Sequence, residues 1–448
     1  MVKLSSISIG VRHLKNSFAP INRLPPETLA LIPSFRESER ELINAAAVCK
    51  YWRTTLVSTP SLWNNIVCFQ LMDRDTIGLR IHTYFERSRS LPVNVQIPAW
   101  ASRFLSPYIE RISGLTLNID VRSDFDEIAN HLSKSAPFLK TMTLYTAGLR
   151  DRVGLPPRIF EPLLSSASVL IIHGPIFSSA PCKLFGLTRF NITTDSTEIT
   201  RVALLDILEQ MPFLQVFDAT FYCKEGLDPV LEDRVVTLPY LEDIKIKIYD
   251  LVSPLAANSI LPALSLPNAL RVHLYLPGSR GAPITTLLPH SFEKQLPNLS
   301  VISRASAGLD EGFSTINFYG TSGSNLTLSI KSNELYTFPR SLFGGTPFGS
   351  VRRFDISFRS STVNTFFFIR LLRFMGGLES LWMMQNTAGP LACWIGQDKQ
   401  AGICPTLASL TIDMVGPDFR EVEKCVEVLK RVRVCAGVPI AVVRVARG

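Results

Sequence analysis

A six-residue pattern, aliphatic–x–x–apolar–x–apolar, recurs along most of this 448-residue chain. Its clearest copies are LKTMTL (139–144), LTRFNI (187–192), LEDIKI (241–246), VRRFDI (351–356), LESLWM (378–383) and LASLTI (407–412), and ISGLTL (112–117) fits as well. LQVFDA (214–219) and VLIIHG (169–174) end in a smaller residue, while ALRVHL (269–274), NLSVIS (298–303) and NLTLSI (325–330) are weaker members. Alternating apolar positions are the signature of a half-buried strand. The copies start 27 residues apart at 112/139, 214/241 and 351/378, 28 apart at 241/269 and 29 apart at 378/407. A unit of that length holds one short strand and one helix, and stacking such units gives parallel strands, because a parallel pair needs a crossover of about a dozen residues or more.

Proline leads into many copies: APFL, MPFL, LPYL, LPNAL, LPNL and CPTL. Proline disfavours the helical region for the residue before it, so each of these ends a preceding helical run such as DFDEIANHLSKSAP or EITRVALLDILEQMP. With this period and these entries, residues 90 to 415 resemble a degenerate leucine-rich repeat. Steps of 30 (139 to 169) and 18 (169 to 187) break the period, and the asparagine expected after the strand is missing from most copies. The expected fold is therefore α/β, an irregular leucine-rich-repeat solenoid over residues 67–448. Its tail, FREVEKCVEVLKRVRVCAGVPIAVVRVARG, reads as a helix and a final strand that cap the array.

Composition narrows the function classes. A net charge of +8 and a pI near 9.1 invite a nucleic-acid reading, but the basic residues are scattered with no run of five, and no nucleic-acid partner is expected. No stretch of 18 apolar residues occurs, so no membrane span is expected. Eight cysteines (49, 68, 182, 223, 393, 404, 425, 435) never form C-x-x-C, which leaves no zinc spacing and fits reduced thiols in a reducing compartment, cytoplasmic and/or nuclear. The sequons at Asn191, Asn298 and Asn325 lie in or beside strand-like runs and are ascribed to chance. The first twenty residues, basic and rich in serine, are faintly like a transit peptide and are read as a disordered leader.

Catalytic signatures are missing: there is no G-x-S-x-G, no Walker-type loop and no H-E-x-x-H. GGTPFG (344–349) lacks the lysine of a phosphate loop and reads as a turn. His131 and His173 have no acid or thiol partner evident in the sequence, and Asp124, Asp126 and Glu127 suit a helix's first turn better than a metal. The chain is expected to be no enzyme and to need no cofactor or metal.

The front of the chain differs from the rest. In INRLPPETLALIPSF (21–35) a double proline opens a greasy helix that Pro33 limits to about two turns. From Glu41 onward, Leu42, Ala45, Ala46, Cys49, Trp52 and Leu56 recur at helical steps, with Val48 widening the stripe, until Ser58–Pro60 ends it. So few residues form a core too small to be very stable alone. A partner covering Leu24, Pro25, Leu29, Val48 and Trp52 would help, as would packing of these residues on the rest of the chain.

LPPETLALI and AAAVCKYWRTTLVSTPSLW together resemble the F-box, in the variant common in mushroom-type fungi whose leading helix ends in LIP. The resemblance implies a small three-helix module over residues 21–66 that docks the adaptor protein of a cullin–RING ubiquitin ligase. Matching positions make Leu24, Pro25, Leu29, Val48, Cys49 and Trp52 the adaptor-facing residues. PSFRESEREL departs from the family pattern, which displaces the first helix and leaves the contacts of Ile32 and Phe35 open.

The implied function is a substrate-recognition subunit, with the repeats holding an unknown protein target. The alternative is an F-box scaffold working outside any ligase. Target-binding residues are expected among the outward positions of the strands, namely Thr143, Lys245, Asp355, Trp382 and Thr411. Trp382 is the best anchor, unless it packs against a neighbouring strand or loop.

Overall fold

The computed structural model describes residues 19–34, 39–68, 72–121, 124–146, 157–174, 184–194, 201–222, 234–249, 260–276, 292–310, 313–320, 323–331, 347–358, 372–373, 375–384, 403–414 and 419–447. Residues 1–18 of the N-terminal leader and Phe35 therefore lie outside the described residues, as do Cys182, Cys223 and Cys393. The chain divides into two compact units, Met1–Leu149 with Arg158–Val169, and Arg150–Pro157 with Leu170–Gly448.

The first unit opens with helices α1 (Pro26–Ser34), α2 (Glu39–Val48) and α3 (Lys50–Ser58). A 3-10 turn at Pro60–Trp63 leads into β1 (Asn65–Val67), α4 (Arg74–Arg87), β2 (Val93–Pro98), β3 (Ile112–Asn118), α5 (Asp124–His131), β4 (Thr141–Tyr145) and α6 (Pro157–Leu164). Strands β1 to β4 pair in chain order and all in parallel. Their register aligns Ile66, Val95, Leu115 and Met142, each buried, so one row of aliphatic side chains runs through the core. Asp73 starts α4 by accepting from the Thr76 amide at 2.8 Å, an N-cap that satisfies one of the helix's open donors.

The second unit begins with β5 (Val169–His173), β6 (Arg189–Thr194), α7 (Arg201–Glu209), β7 (Val216–Tyr222), β8 (Val236–Thr237) and β9 (Asp243–Tyr249). It continues through β10 (Leu264–Ser265), β11 (Arg271–Leu276), α8 (Phe292–Gln295), β12 (Ile302–Asp310), β13 (Phe313–Gly320) and β14 (Asn325–Lys331). Strands β15 (Arg353–Phe358), β16 (Ser380–Met384) and β17 (Ser409–Met414), helix α9 (Phe419–Cys435) and strand β18 (Val442–Arg447) complete it. The sheet order is β5-β6-β7-β9-β11-β14-β13-β12-β15-β16-β17-β18, with β8 and β10 forming a separate parallel pair.

Every copy of the hexamer overlaps a strand, although the weak copy at 298–303 reaches β12 only with its last two residues. Its period is also the register: Arg189 faces Val216, Val216 faces Asp243, and Asp243 faces Arg271. A single row therefore carries Phe190, Phe217, Ile244, Val272, Leu326, Phe318, Ala305, Phe354, Leu381 and Leu410, all fully buried. The proline-led entries form a recurring turn, but they do not all end helices: LPYL and LPNAL follow the short strands β8 and β10. The leucine amide donates three residues back at Leu139 to Ala136 (3.0 Å), Leu214 to Met211 (3.1 Å) and Leu407 to Cys404 (3.1 Å), with proline in the second turn position that its fixed φ favours. The next amide reaches the preceding unit, as from Gln215 to Thr188 (2.8 Å) and Glu242 to Gln215 (2.9 Å).

Two departures from the sequence reading stand out. The weak copies at 298 and 325 are 27 residues apart, yet a further strand, β13, lies between them. Only residues 311–312 separate β12 from β13, too few for a parallel crossover, so β12, β13 and β14 form an antiparallel meander. The meander reverses the local order and sets β14 beside β11 and β12 beside β15. The other departure is in the front module. The apolar stripe from Glu41 to Leu56 reads as one helix, but Cys49 is extended (φ −159°, ψ 174°) and separates α2 from α3. No glycine or proline marks that break. The C-terminal helix and final strand are α9 and β18, with β18 parallel to β17.

Candidate functional site

The helical module is held by directional bonds at its seams. Trp52 donates from Nε1 to Asn22 Oδ1 at 2.6 Å, joining α3 to the 3-10 turn at Pro20–Arg23, and Tyr51 donates its hydroxyl to the Leu24 carbonyl at 2.9 Å. Trp63 donates to the Leu56 carbonyl at 2.9 Å and meets the Tyr84 ring edge-on at 5.0 Å, with Arg87 over its face at 4.3 Å. Burial pushes the Tyr84 phenol up to about 12 and the neighbouring Cys68 thiol also to about 12.

The six residues proposed for the adaptor divide on burial. Leu29 has no exposed surface and Trp52 only 6%, so both are core residues of the module and not surface contacts. Leu24 and Cys49 are half-buried, Pro25 is exposed, and Val48 is 58% exposed. Sequence reasoning missed Leu31 and Ile43, both more than half exposed, and left Ile32 open. On α2, Ile43 and Ala47, and Asn44 and Val48, are one turn apart and all exposed, whereas Leu42 is buried. This face was readable as hydrophobes lying off the Leu42–Ala45–Ala46–Cys49 stripe, a pattern a soluble helix has little use for.

On the strands of the second unit, side chains opposite the buried rows form a polar face. One row of it carries Asn191, Asp218, Lys245, His273, Thr327, Asn317, Ser306, Asp355, Trp382, Thr411 and Arg444 in register. Lys245, Trp382 and Thr411 are partly buried, because side chains on strands less than about 5 Å apart shade one another. Asp355 is 7% exposed, and Thr143, in the first unit, is buried too, so neither is the open contact expected of it. Asp355 is buried because Arg304 and Arg353 close over its carboxylate. Asp355, Trp382 and Thr411 sit side by side, while Lys245 is set apart on β9 between Asp218 and His273. Burial, then Lys245 and Lys247, pull the His273 imidazole below its ordinary value, against the opposite pull of Asp218 and Asp243. Trp382 donates from Nε1 to Asp413 Oδ2 at 2.8 Å, which fixes its ring across β17.

Other side chains considered from sequence have local roles. Asp124 Oδ2 accepts from the amides of Asp120 (2.9 Å) and Val121 (3.2 Å), and His131 finds Glu127 one turn back at 3.4 Å, an acid partner the sequence reading had not credited. Burial lowers the His173 imidazole. Among the described residues no three His, Cys, Asp or Glu side chains are grouped to hold a metal ion, and no helix is long and apolar enough to cross a membrane.

Comparison with known families matches residues 21–69 to the F-box-like family, the stretch from the first 3-10 turn past β1. No curated protein matches the chain. The helices at the front of this protein are an F-box-like domain.

Proposed function

We propose that this protein is the substrate-recognition subunit of a cullin–RING ubiquitin ligase. The observation that carries the reading is the coincidence of the F-box-like match with a helical module that leaves Leu31, Ile32, Ile43 and Val48 exposed. Four large exposed aliphatic side chains in so small a module suit a protein partner, and for an F-box-like domain that partner is the ligase's adaptor. Pro25 is exposed and Leu24 and Cys49 are partly so, and the resemblance adds them to the same docking surface.

In this reading the repeats, taken as a degenerate leucine-rich-repeat array, hold the target on the polar face of the second unit. Support comes from the regular register of that face and its mix of charge with the partly accessible Trp382. The protein needs no catalytic group or cofactor of its own, works in the cytoplasm and/or nucleus, and belongs to the F-box variant with a Leu-Ile-Pro-ended first helix. The test is recovery of the full-length chain from cells with the proteasome blocked. Adaptor and cullin should co-purify in stoichiometric amounts. Partners without adaptor or cullin would overturn the reading and leave a scaffold outside the ligase.

A further inference from the structure

Asp355 does more than fill a place on the strand face. Arg304 donates from Nε and Nη2 to its Oδ2 at 2.8 and 2.6 Å, and Arg353 donates from Nε to its Oδ1 at 3.0 Å. The arginines are cross-strand partners on β12 and β15, so the buried carboxylate two residues along β15 grips both forks from beneath. Tyr319, in register with Arg304 from the other side, lies under its guanidinium at 5.5 Å. Both arginine side chains remain about half exposed, while the carboxylate is 8% exposed.

Two positive charges thus meet one negative charge, and the excess is carried by N–H groups that face outward. Arg304 Nη1 and both Nη atoms of Arg353 have no hydrogen-bond partner among the described residues. A guanidinium held in place presents a planar fork matched to a carboxylate, with little rotamer freedom left to lose on binding. Trp382 lies beside Asp355 in register, and its ring is itself fixed by Asp413. An anion subsite and an apolar plane are therefore neighbours on one face.

We propose that Arg304 and Arg353, held by Asp355, take an acidic side chain of an extended peptide segment of the target, with Trp382 covering the residue next to it. The charge pattern favours a peptide over a nucleic acid. A phosphate backbone needs a track of cations, whereas Trp382 holds the Asp413 carboxylate beside it at 2.8 Å and Glu379, just before β16, is paired with Arg352 at 3.4 Å. The proposal rests on reading this face as the target surface. It does not involve the adaptor, so loss of adaptor binding would leave it standing, and its own failure would leave the F-box reading intact.

The experiment uses the full-length protein and three labelled probes: a ten-residue peptide of alternating Glu and Leu, its Gln/Leu counterpart, and oligo(dT) of equal length. The Glu peptide should bind and the Gln peptide and oligo(dT) bind at least about tenfold more weakly, the scale of one charge-assisted hydrogen bond. The double variant Arg304→Met/Arg353→Met should lose the preference for Glu over Gln while its thermal melting stays cooperative. Equal binding of the Glu and Gln peptides, tighter binding of oligo(dT), or a folded double variant that keeps the preference would each overturn the proposal. If the double variant does not fold, a photoreactive Glu peptide on the unmodified protein decides. Cross-links should fall on β12, β15 and β16, and cross-links confined elsewhere reject the subsite.

Discussion

Arg433, fully buried on α9, donates from its guanidinium to the main-chain carbonyl of Cys404 at 2.9 Å and to that of Ile403. Cys404 itself adopts a left-handed conformation (φ 51°), uncommon for a residue with a side chain, and its thiol donates to the Leu372 carbonyl at 3.2 Å. The arginine thus ties the terminal helix to the turn that launches β17. The arginine adds charge-assisted donors to both carbonyls, and that of Cys404 also accepts from the Leu407 amide at 3.1 Å.

Replacing Arg433 with Met keeps most of the packed stem and removes the donors. We expect a loss of about 1.5–3 kcal/mol in unfolding free energy by urea titration, from removing charge-assisted hydrogen bonds to buried carbonyls. Lys430→Ala, one turn earlier, removes only a surface pair with Glu427 at 2.8 Å and should shift stability by less than about 1 kcal/mol. Equal effects from the two would show that the Arg433 bonds add nothing beyond surface electrostatics.

The contrast between these two residues also marks what the sequence could show. The twelve hexamers located the strands because burial of alternate residues is a local, periodic requirement. In the same way, FREVEKC…VRVC was legible as a helix. Arg433 sits in that helix among other basic residues, and nothing local separates the one that points inward. β13 was hidden by a different cause: its neighbours kept the period of 27, so a meander looked like an ordinary repeat. The break at Cys49 had no glycine or proline to announce it. Leu29 and Trp52 were read as surface because the family pattern marks them, whereas burial depends on how α1, α2 and α3 close on one another.

Cys68 and Cys435 should differ sharply toward a thiol reagent. Burial raises the Cys68 thiol to about 12, so at pH 8 it holds almost no thiolate and is also shielded. Cys435 is exposed at the end of α9. Native iodoacetamide labelling followed by mass spectrometry should modify Cys435 first and Cys68 only in denaturant. Labelling of Cys68 at the rate of Cys435 in the folded protein would contradict the structure.

Stability should fall as the pH drops below that of an ordinary histidine. His273 and His173 are both depressed in the fold, chiefly by burial, so the unfolded chain binds protons first. The neutral ring's advantage is fully present above the unfolded value near 6.5 and is lost as pH falls through that value toward the folded one. His273→Gln should flatten the decline in unfolding free energy between pH 7.5 and 5.5 relative to the unmodified protein. An unchanged slope would mean that Lys245, Lys247 and burial do not act on this ring as described.

The adaptor surface separates residues that support the module from residues that touch a partner. Trp52 is buried and bonded to Asn22, so Trp52→Ala should destabilise the first unit by about 3–5 kcal/mol, the usual range for an aromatic removed from a core. Any loss of adaptor binding would then follow from unfolding. Ile43 and Val48 lie on the exposed face of α2, where 54% and 58% of each is accessible. The double variant Ile43→Asp/Val48→Asp should still melt cooperatively, at a stability cost well below that of Trp52→Ala because both side chains are more than half exposed, yet weaken adaptor binding by about 2 kcal/mol or more, as expected when charge enters an apolar interface. Calorimetric titration of purified adaptor into each variant, paired with a melting curve, gives both quantities. Undiminished affinity in the well-folded double variant would move the docking surface off α2, toward Leu31 and Ile32 on α1.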